Sequence, residues 1–297
     1  MPLLQAPLAA ILGAGPAGLM AAEVLSAAGV EVHVYDAMPS AGRKFLLAGK
    51  GGLNLTHSEP LPSFIERFGE QAAVVGDWLH DFGPQAVRDW AAGLGVGTFV
   101  GTSGRVFPTE MKAAPLLRAW LHRLRHPRAP GAVPVRFHMR HRWVGWEDTA
   151  VTPETIAAGA GQASAGGRFV FESLAGRVGV APAAALLALG GASWPRLGSD
   201  GGWLPWLEQA GPQVAPLAPA NCGFDAAGRA GAGWTPFFAE RFAGQPLKSV
   251  AVAFTDSAGR PFARPGEFVV TATGVEGSLI YAFSHLLRDE IARAGQA

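Results

Sequence analysis

The order of apolar and polar positions near the N-terminus predicts a strand, a tight turn, a helix and a second strand. Leu8–Leu12 is a short apolar run that enters Gly13-Ala14-Gly15-Pro16-Ala17-Gly18. Good helix formers follow to Ala28, and Gly29 is the C-terminal stop. Val30 to Tyr35 alternates with the period of a strand, and Asp36 stands at its end. The whole has the length that a parallel crossover needs. Another continuous apolar run, Ala183–Leu189, ends in Gly190-Gly191 and reads as a buried parallel strand entering a second glycine turn.

Between these two signals lies first a loop rich in glycine and basic residues, Ala37–His57, of a length that in a compact domain usually serves function. Helical spacing follows around Phe64–Phe68, Ala72–Phe82 and Pro84–Leu94, then a hairpin of Thr98–Val100 with Arg105–Phe107. A helix over Met111–Leu124 precedes strands at Val133–Phe137, His141–Trp146 and Phe169–Ser173, with a small polar surface turn at Gly159–Gly167. Farther on, Pro212, Pro216, Pro219, Pro236, Pro246, Pro261 and Pro265 punctuate β-like pieces such as Ser249–Thr255 and Glu267–Thr273. A helix over Ser278–Ala294, capped by Gly295, comes last. The pattern predicts an α/β fold, with a Rossmann-like dinucleotide-binding domain over residues 1–204 and a β-rich second domain over 205–297.

Composition narrows the function classes. The 297 residues suffice for two domains, and 49% hydrophobic residues exclude a disordered chain. With 24 Lys+Arg against 23 Asp+Glu, the chain is not globally matched to a polyanion or a polycation. The uncharged stretches Met1–Ala22 and Val178–Pro195 are broken by Pro7, Pro16, Pro182 and glycines, so neither reads as a membrane span or a signal peptide. Cys222 is the single cysteine, which fits a reducing compartment and a cytoplasmic location.

The chemistry concentrates in the glycine turn. In Gly13-x-Gly15-x-x-Gly18 the first glycine makes the tight turn, the second admits a pyrophosphate to the backbone, and the third lets helix and strand pack closely. A diphosphate then meets the positive end of the helix. Asp36 stands where a carboxylate accepts from a ribose hydroxyl, and it would face the 2′-phosphate of NADP unfavourably. The basic loop after the second strand favours FAD over a simple nicotinamide site. Arg43 and Lys44 suit a diphosphate or the flavin ring edge, Gly51 and Gly52 permit close backbone approach, and Asn54 suits the pyrimidine edge.

Lys112, Arg118, Arg123, Arg125, Arg128, Arg136, Arg140 and Arg142 form a run without an acid, joined by His122, His126, His138 and His141. Such a run suits either nucleic acid or a solvated helix face with strand ends near cofactor phosphates, and the weighing goes against nucleic acid. His122 and His126 are one helical turn apart but lack a third metal ligand. His57 is the one histidine considered for proton transfer, with a backbone-bonded loop residue the stronger reading. Cys222 reads as an ordinary thiol.

Several of these segments resemble one bacterial family of NAD(P)/FAD-dependent oxidoreductases, which includes aminoacetone oxidases and bile-acid-inducible reductases. They are Gly-Ala-Gly-Pro-Ala-Gly-Leu-Met-Ala-Ala-Glu at 13–23, the loop at 42–58, Gly-Arg-Val-Phe-Pro at 104–108, Ala-Leu-Gly-Gly-Ala-Ser-Trp-Pro-Arg-Leu-Gly-Ser at 188–199 and Thr-Gly-Val-Glu-Gly-Ser-Leu-Ile-Tyr-Ala at 273–282. The resemblance implies an FAD-binding domain with an inserted barrel-like domain. It also implies hydride transfer from a small-molecule substrate to the flavin, with oxygen or NAD(P)H as redox partner. By position it assigns Gly13, Gly15, Pro16, Ala17, Gly18, Asp36, Arg43, Lys44, Gly51, Gly52 and Asn54 to FAD-contacting segments. Gly190 and Gly191 fall on the second glycine turn, and Val135 and the strand near Trp143 beside the adenine. Leu189 replaces the Thr usual in that turn. Family members continue into a segment that returns to the first domain; nothing in 207–297 fits it, so a C-terminally truncated chain is expected. Two alternatives accompany this reading: a nucleotide-binding fragment without turnover, and a flavin-linked RNA-binding protein.

Overall fold

The computed structural model describes residues 9–48, 51–147, 168–228 and 231–295. Its contacts divide the chain into two units, Met1–Val214 and Ala215–Ala297.

In the first unit, β1 (Ala9–Leu12) leads through the glycine turn into α1 (Pro16–Ala27) and β2 (Val32–Asp36). Then come α2 (Arg43–Leu47), β3 (Thr56–His57), α3 (Leu61–Glu66), α4 (Ala72–Asp81) and α5 (Pro84–Gly93). β4 (Thr98–Val100), β5 (Arg105–Pro108), α6 (Ala113–Arg125) and β6 (Arg136–Met139) follow. The unit ends with β7 (Arg142–Glu147), β8 (Arg168–Ser173), β9 (Gly176–Val180), β10 (Ala184–Leu187) and α7 (Leu204–Gln209).

The central sheet runs β10-β1-β2-β6, every pair parallel, with Ala9 opposite both Ala184 and Val32. Side chains alternate across it, as the strand period demands. Ile11, Val32 and Val34 face one way and pack on Leu19 and Ala22 of α1 and on Leu117, Trp120 and Leu124 of α6. Ala10, Leu12 and Tyr35 face the other way, onto Trp143, Phe171 and Val180 of the antiparallel sheet β7-β8-β9. Both faces are covered, which is why β1 reads as a continuous apolar run, while β2 keeps its alternation with His33 and Tyr35 on the second face. Full burial of a side chain such as Ile11 or Leu19 contributes about 1.5–3 kcal/mol.

Several sequence expectations need correction. β10 is parallel to β1 as expected, yet its four residues are exposed, because it is the sheet's edge strand. β6 starts later than Val133, since the Val133 and Val135 N–H groups donate to Ser26 and Leu124 carbonyls at the ends of α1 and α6 rather than to a strand. The long loop after β2 contains α2, entered through Gly42 in the left-handed conformation with Leu117 packed against it. The first unit extends past residue 204, because Trp203, Trp206 and Leu207 pack on the Trp143 side of the core. The turn expected at Gly159–Gly167 lies outside the described residues.

The second unit contains β11 (Phe224–Asp225), the small ladder of β12 (Ala227–Gly228) with β13 (Gly231–Ala232), and α8 (Pro236–Phe242). It continues with β14 (Pro246–Thr255), β15 (Pro261–Val270), β16 (Gly274–Glu276) and α9 (Ser278–Ala294). Its sheet is antiparallel in the order β11-β16-β15-β14. Leu279, Ile280 and Phe283 are the buried apolar residues of α9, and Phe283 meets Phe254 of β14 edge-on at 5.7 Å. Gly295, at positive φ, ends the helix as the sequence predicts. Among the described residues no helix is long and apolar enough to cross a membrane.

Candidate functional site

A cleft of about 430 Å³ opens at the carboxyl ends of β1, β2 and β10, where ligands of open α/β sheets bind. Gly13, Ala14, Gly15, Pro16 and Ala17 line one side, with Asp36, Arg43 and Lys44 beside them. Leu189, Gly190, Gly191, Ser199 and Asp200 line another side, and His141, Arg142, Trp143 and Phe171 complete the wall.

The three glycines of the turn do different things. Gly13 has φ +111°, and a Cβ there would collide with the Ala188 carbonyl just beyond β10. A Cβ on Gly18 would collide with the Gly13 carbonyl, so this glycine lets α1 pack on β1. Gly15 has ordinary extended backbone, φ −78° and ψ 179°, and a Cβ there would meet no protein atom within 4 Å. Its missing side chain leaves room at the start of α1, a helix whose first turn has no side-chain cap.

Asp36 is tied into the turn at both carboxylate oxygens. Oδ2 accepts from the Ala14 N–H and Oδ1 from the Met38 N–H, each at 2.7 Å. Burial pushes its pKa above the usual carboxylate value, although those two N–H groups and the nearby Arg142 and Arg43 pull it down. Arg142 reaches Asp200 at 3.2 Å. Burial of Asp200 raises its pKa, but the Gly202 N–H and Arg142 outweigh that and hold it low. Lys44 Nζ donates to Ser193 Oγ at 2.6 Å, bridging the basic segment to the second glycine turn. That turn is fixed by Ser199 Oγ, which donates to the Gly191 carbonyl, and by the Trp203 indole, which donates to the Gly190 carbonyl.

The residues fit a dinucleotide's diphosphate by two observations. The cradle at Gly15 is one that a Cβ would fill. Arg43 Nε is buried on the cleft wall without a hydrogen-bond partner among the described residues, a donor suited to an anion.

The remaining expected site residues fall elsewhere. Gly51, Gly52 and Asn54 do not line the cleft. The segment is drawn toward the β4-β5 hairpin, with Leu53 N–H donating to Met111 and Leu55 N–H to Val106. Val135 is buried with Trp120 and Leu124 beneath α6. His57 has both ring nitrogens engaged, Nδ1 by the Glu59 N–H and Nε2 by the Ser103 carbonyl. Sequence reasoning passed over His141, Arg142 and Asp200 as site residues. His141 and Arg142 stood in the basic run whose plainer reading set strand ends near cofactor phosphates, but only the register that sets β6 beside β2 singles them out for the cleft. For Asp200 a signal existed, since it directly follows the second glycine segment.

A parallel sheet with a glycine turn opening under the N-terminus of its first helix defines a Rossmann-type nucleotide-binding domain. The sequence matches the HI0933-like protein Rossmann domain over residues 8–282, and the chain belongs to that family, one of FAD-binding oxidoreductases. Among solved structures, the open conformation of a flavocytochrome c3 fumarate reductase is similar at TM-score 0.52 and 14% identity, over 82% of this chain and 47% of that one. A 3-ketosteroid-delta4-(5alpha)-dehydrogenase from Rhodococcus jostii RHA1 is similar at TM-score 0.40 and 17% identity, over 62% of this chain and 46% of that one. This chain therefore spans about half the length of these two structures. No curated protein matches the sequence.

Proposed function

We propose that the chain is the cofactor-binding part of an FAD-dependent oxidoreductase that takes a hydride from a small-molecule substrate. The open space at Gly15, under the N-terminus of α1 and between Asp36, Arg43 and the second glycine turn, carries this reading. The α1 N-terminus and Arg43 bind the diphosphate, where helix dipole and guanidinium both favour negative charge. Asp36 accepts from the adenosine ribose with the lone pairs its two backbone donors leave free. Trp143 and Phe171 exclude water from the wall of the adenosine half. Asp36 and Asp200 set two carboxylates in the cleft, which disfavours a 2′-phosphorylated nucleotide there. A flavin bound there would supply hydride acceptance, with oxygen or a nicotinamide as the redox partner. Cys222, the lone cysteine, supports a reducing, cytoplasmic setting.

Titration of the chain with FAD, ADP and FMN, followed by flavin fluorescence and calorimetry, tests the proposal. FAD and ADP are expected to bind and FMN to bind far more weakly, because the cleft recognises the adenosine diphosphate half. FMN binding as tight as FAD, or no binding of FAD and ADP, overturns it.

A further inference from the structure

A second cavity, of about 500 Å³, opens in the first unit away from the glycine turn, between the C-terminal halves of α1 and α6 and the segment after α6. Ala27, Leu94, Ala119 and Leu124 give it an apolar floor. His122, Arg123, His126 and Arg128, part of the acid-free basic run, supply its polar groups.

Glu23 also lines the cavity, but its carboxylate is engaged. Oε2 accepts from the indoles of Trp90 at 3.1 Å and Trp120 at 2.6 Å, and Oε1 lies 2.6 Å from Arg123 Nη2. The Ser26 hydroxyl is likewise committed, donating to the Val133 carbonyl. Arg123 Nε remains buried without a hydrogen-bond partner among the described residues. The His122 and His126 rings stand 4.9 Å apart at the rim. An entering molecule therefore meets an apolar floor, the Arg128 guanidinium, the unpartnered Nε of Arg123 and two imidazoles, with the Glu23 carboxylate already paired to Arg123.

We propose that this cavity binds a small organic anion, a carboxylate or phosphate carried on an apolar ring or chain. Both anions present coplanar oxygen pairs that match a guanidinium fork. The C-terminal dipoles of α1 and α6 oppose an anion, but more weakly than a charge-assisted hydrogen bond favours it. A nucleic-acid strand fits less well, because the basic run does not share one face. Arg125 stacks over Phe137, Arg136 turns to Glu31, and Arg142 belongs to the first cleft.

Calorimetric titration of the chain with benzoate and with phenyl phosphate tests this and separates carboxylate from phosphate. At least one probe is expected to bind, and ADP, whether or not it binds itself, should leave that affinity unchanged. Arg128→Gln, at an exposed position, should weaken the probe roughly three- to tenfold. Ala119→Leu fills the floor without changing charge and should abolish binding while thermal melting shows the fold retained. Failure of both probes at millimolar concentration overturns the proposal. So does displacement by ADP, displacement by a short RNA, or unchanged affinity in the two variants.

Discussion

Asp36 holds the glycine turn before it meets any ligand, since its two oxygens accept from Ala14 and Met38. Asp36→Ala should therefore act twice. FAD binding should weaken about ten- to a hundredfold, the worth of a hydrogen bond to a charged acceptor, with FMN indifferent. Melting temperature should fall as well, because each buried N–H left without a partner costs about 1–3 kcal/mol. Equal affinity losses for FAD and FMN would show that the ribose contact is misassigned. Gly15→Val separates the effects the other way. Its backbone is already extended and its surroundings open, so melting should be unchanged while FAD and ADP binding is lost. The glycine triplet and Asp36 were legible because their spacing is local. The structural duty of Asp36 was not, because a carboxylate's backbone partners depend on how the turn folds over the strand end.

At the scale of elements, β2 and β6 lie side by side and stack their rings on the face opposite α1. Tyr35 lies 4.5 Å from His138 and 4.5 Å from Phe171, both stacked, and His33 Nδ1 meets His138 Nε2 at 3.2 Å. Burial, helped by His33, His141 and Arg136, pushes the His138 pKa down from 6.5 to about 4, and burial raises Tyr35 to about 12. The folded protein thus keeps His138 neutral where the unfolded chain would take up a proton. This contribution is present in full above pH 6.5 and is lost as pH falls from 6.5 through about 4. His138→Phe, which preserves the stack on Tyr35, should flatten the fall in melting temperature across that window. His33, also lowered by burial, leaves a residual slope. Melts at matched ionic strength check this, and an unchanged slope would refute it. Of the two strands, β2 was readable from its alternation, while β6 was expected too early, at Val133–Phe137. Their adjacency was not readable, because β6 is separated from β2 by five helices and a three-stranded sheet, and no local pattern records which edge a late strand joins.

At the largest scale, β10 is the edge strand of its sheet among the described residues and leaves Leu186 and Leu187 over a third exposed, a recognised route to intermolecular pairing. Leu186→Lys should raise the monomeric fraction at high concentration, measured by light scattering, without altering ADP affinity; an unchanged monomeric fraction would clear this edge of blame. The proline-rich texture beyond α7 led to an expected boundary at 204, whereas Trp206 and Leu207 pack on the Trp143 side of the core and the contacts divide the chain after Val214. The pairing of Ala9 with Ala184 has a further consequence, for the timing of synthesis. β1, α1 and β2 leave the ribosome early, but the glycine turn gains the wall at Ala188 only after most of the first unit has emerged. Closing so long a loop is slow and entropically costly. Nucleotide affinity should therefore switch on over a narrow interval of chain length rather than accumulate with each added element. Stalled nascent chains with β10 still inside the exit tunnel should fail to retain ADP, and those with all of the first unit outside should retain it.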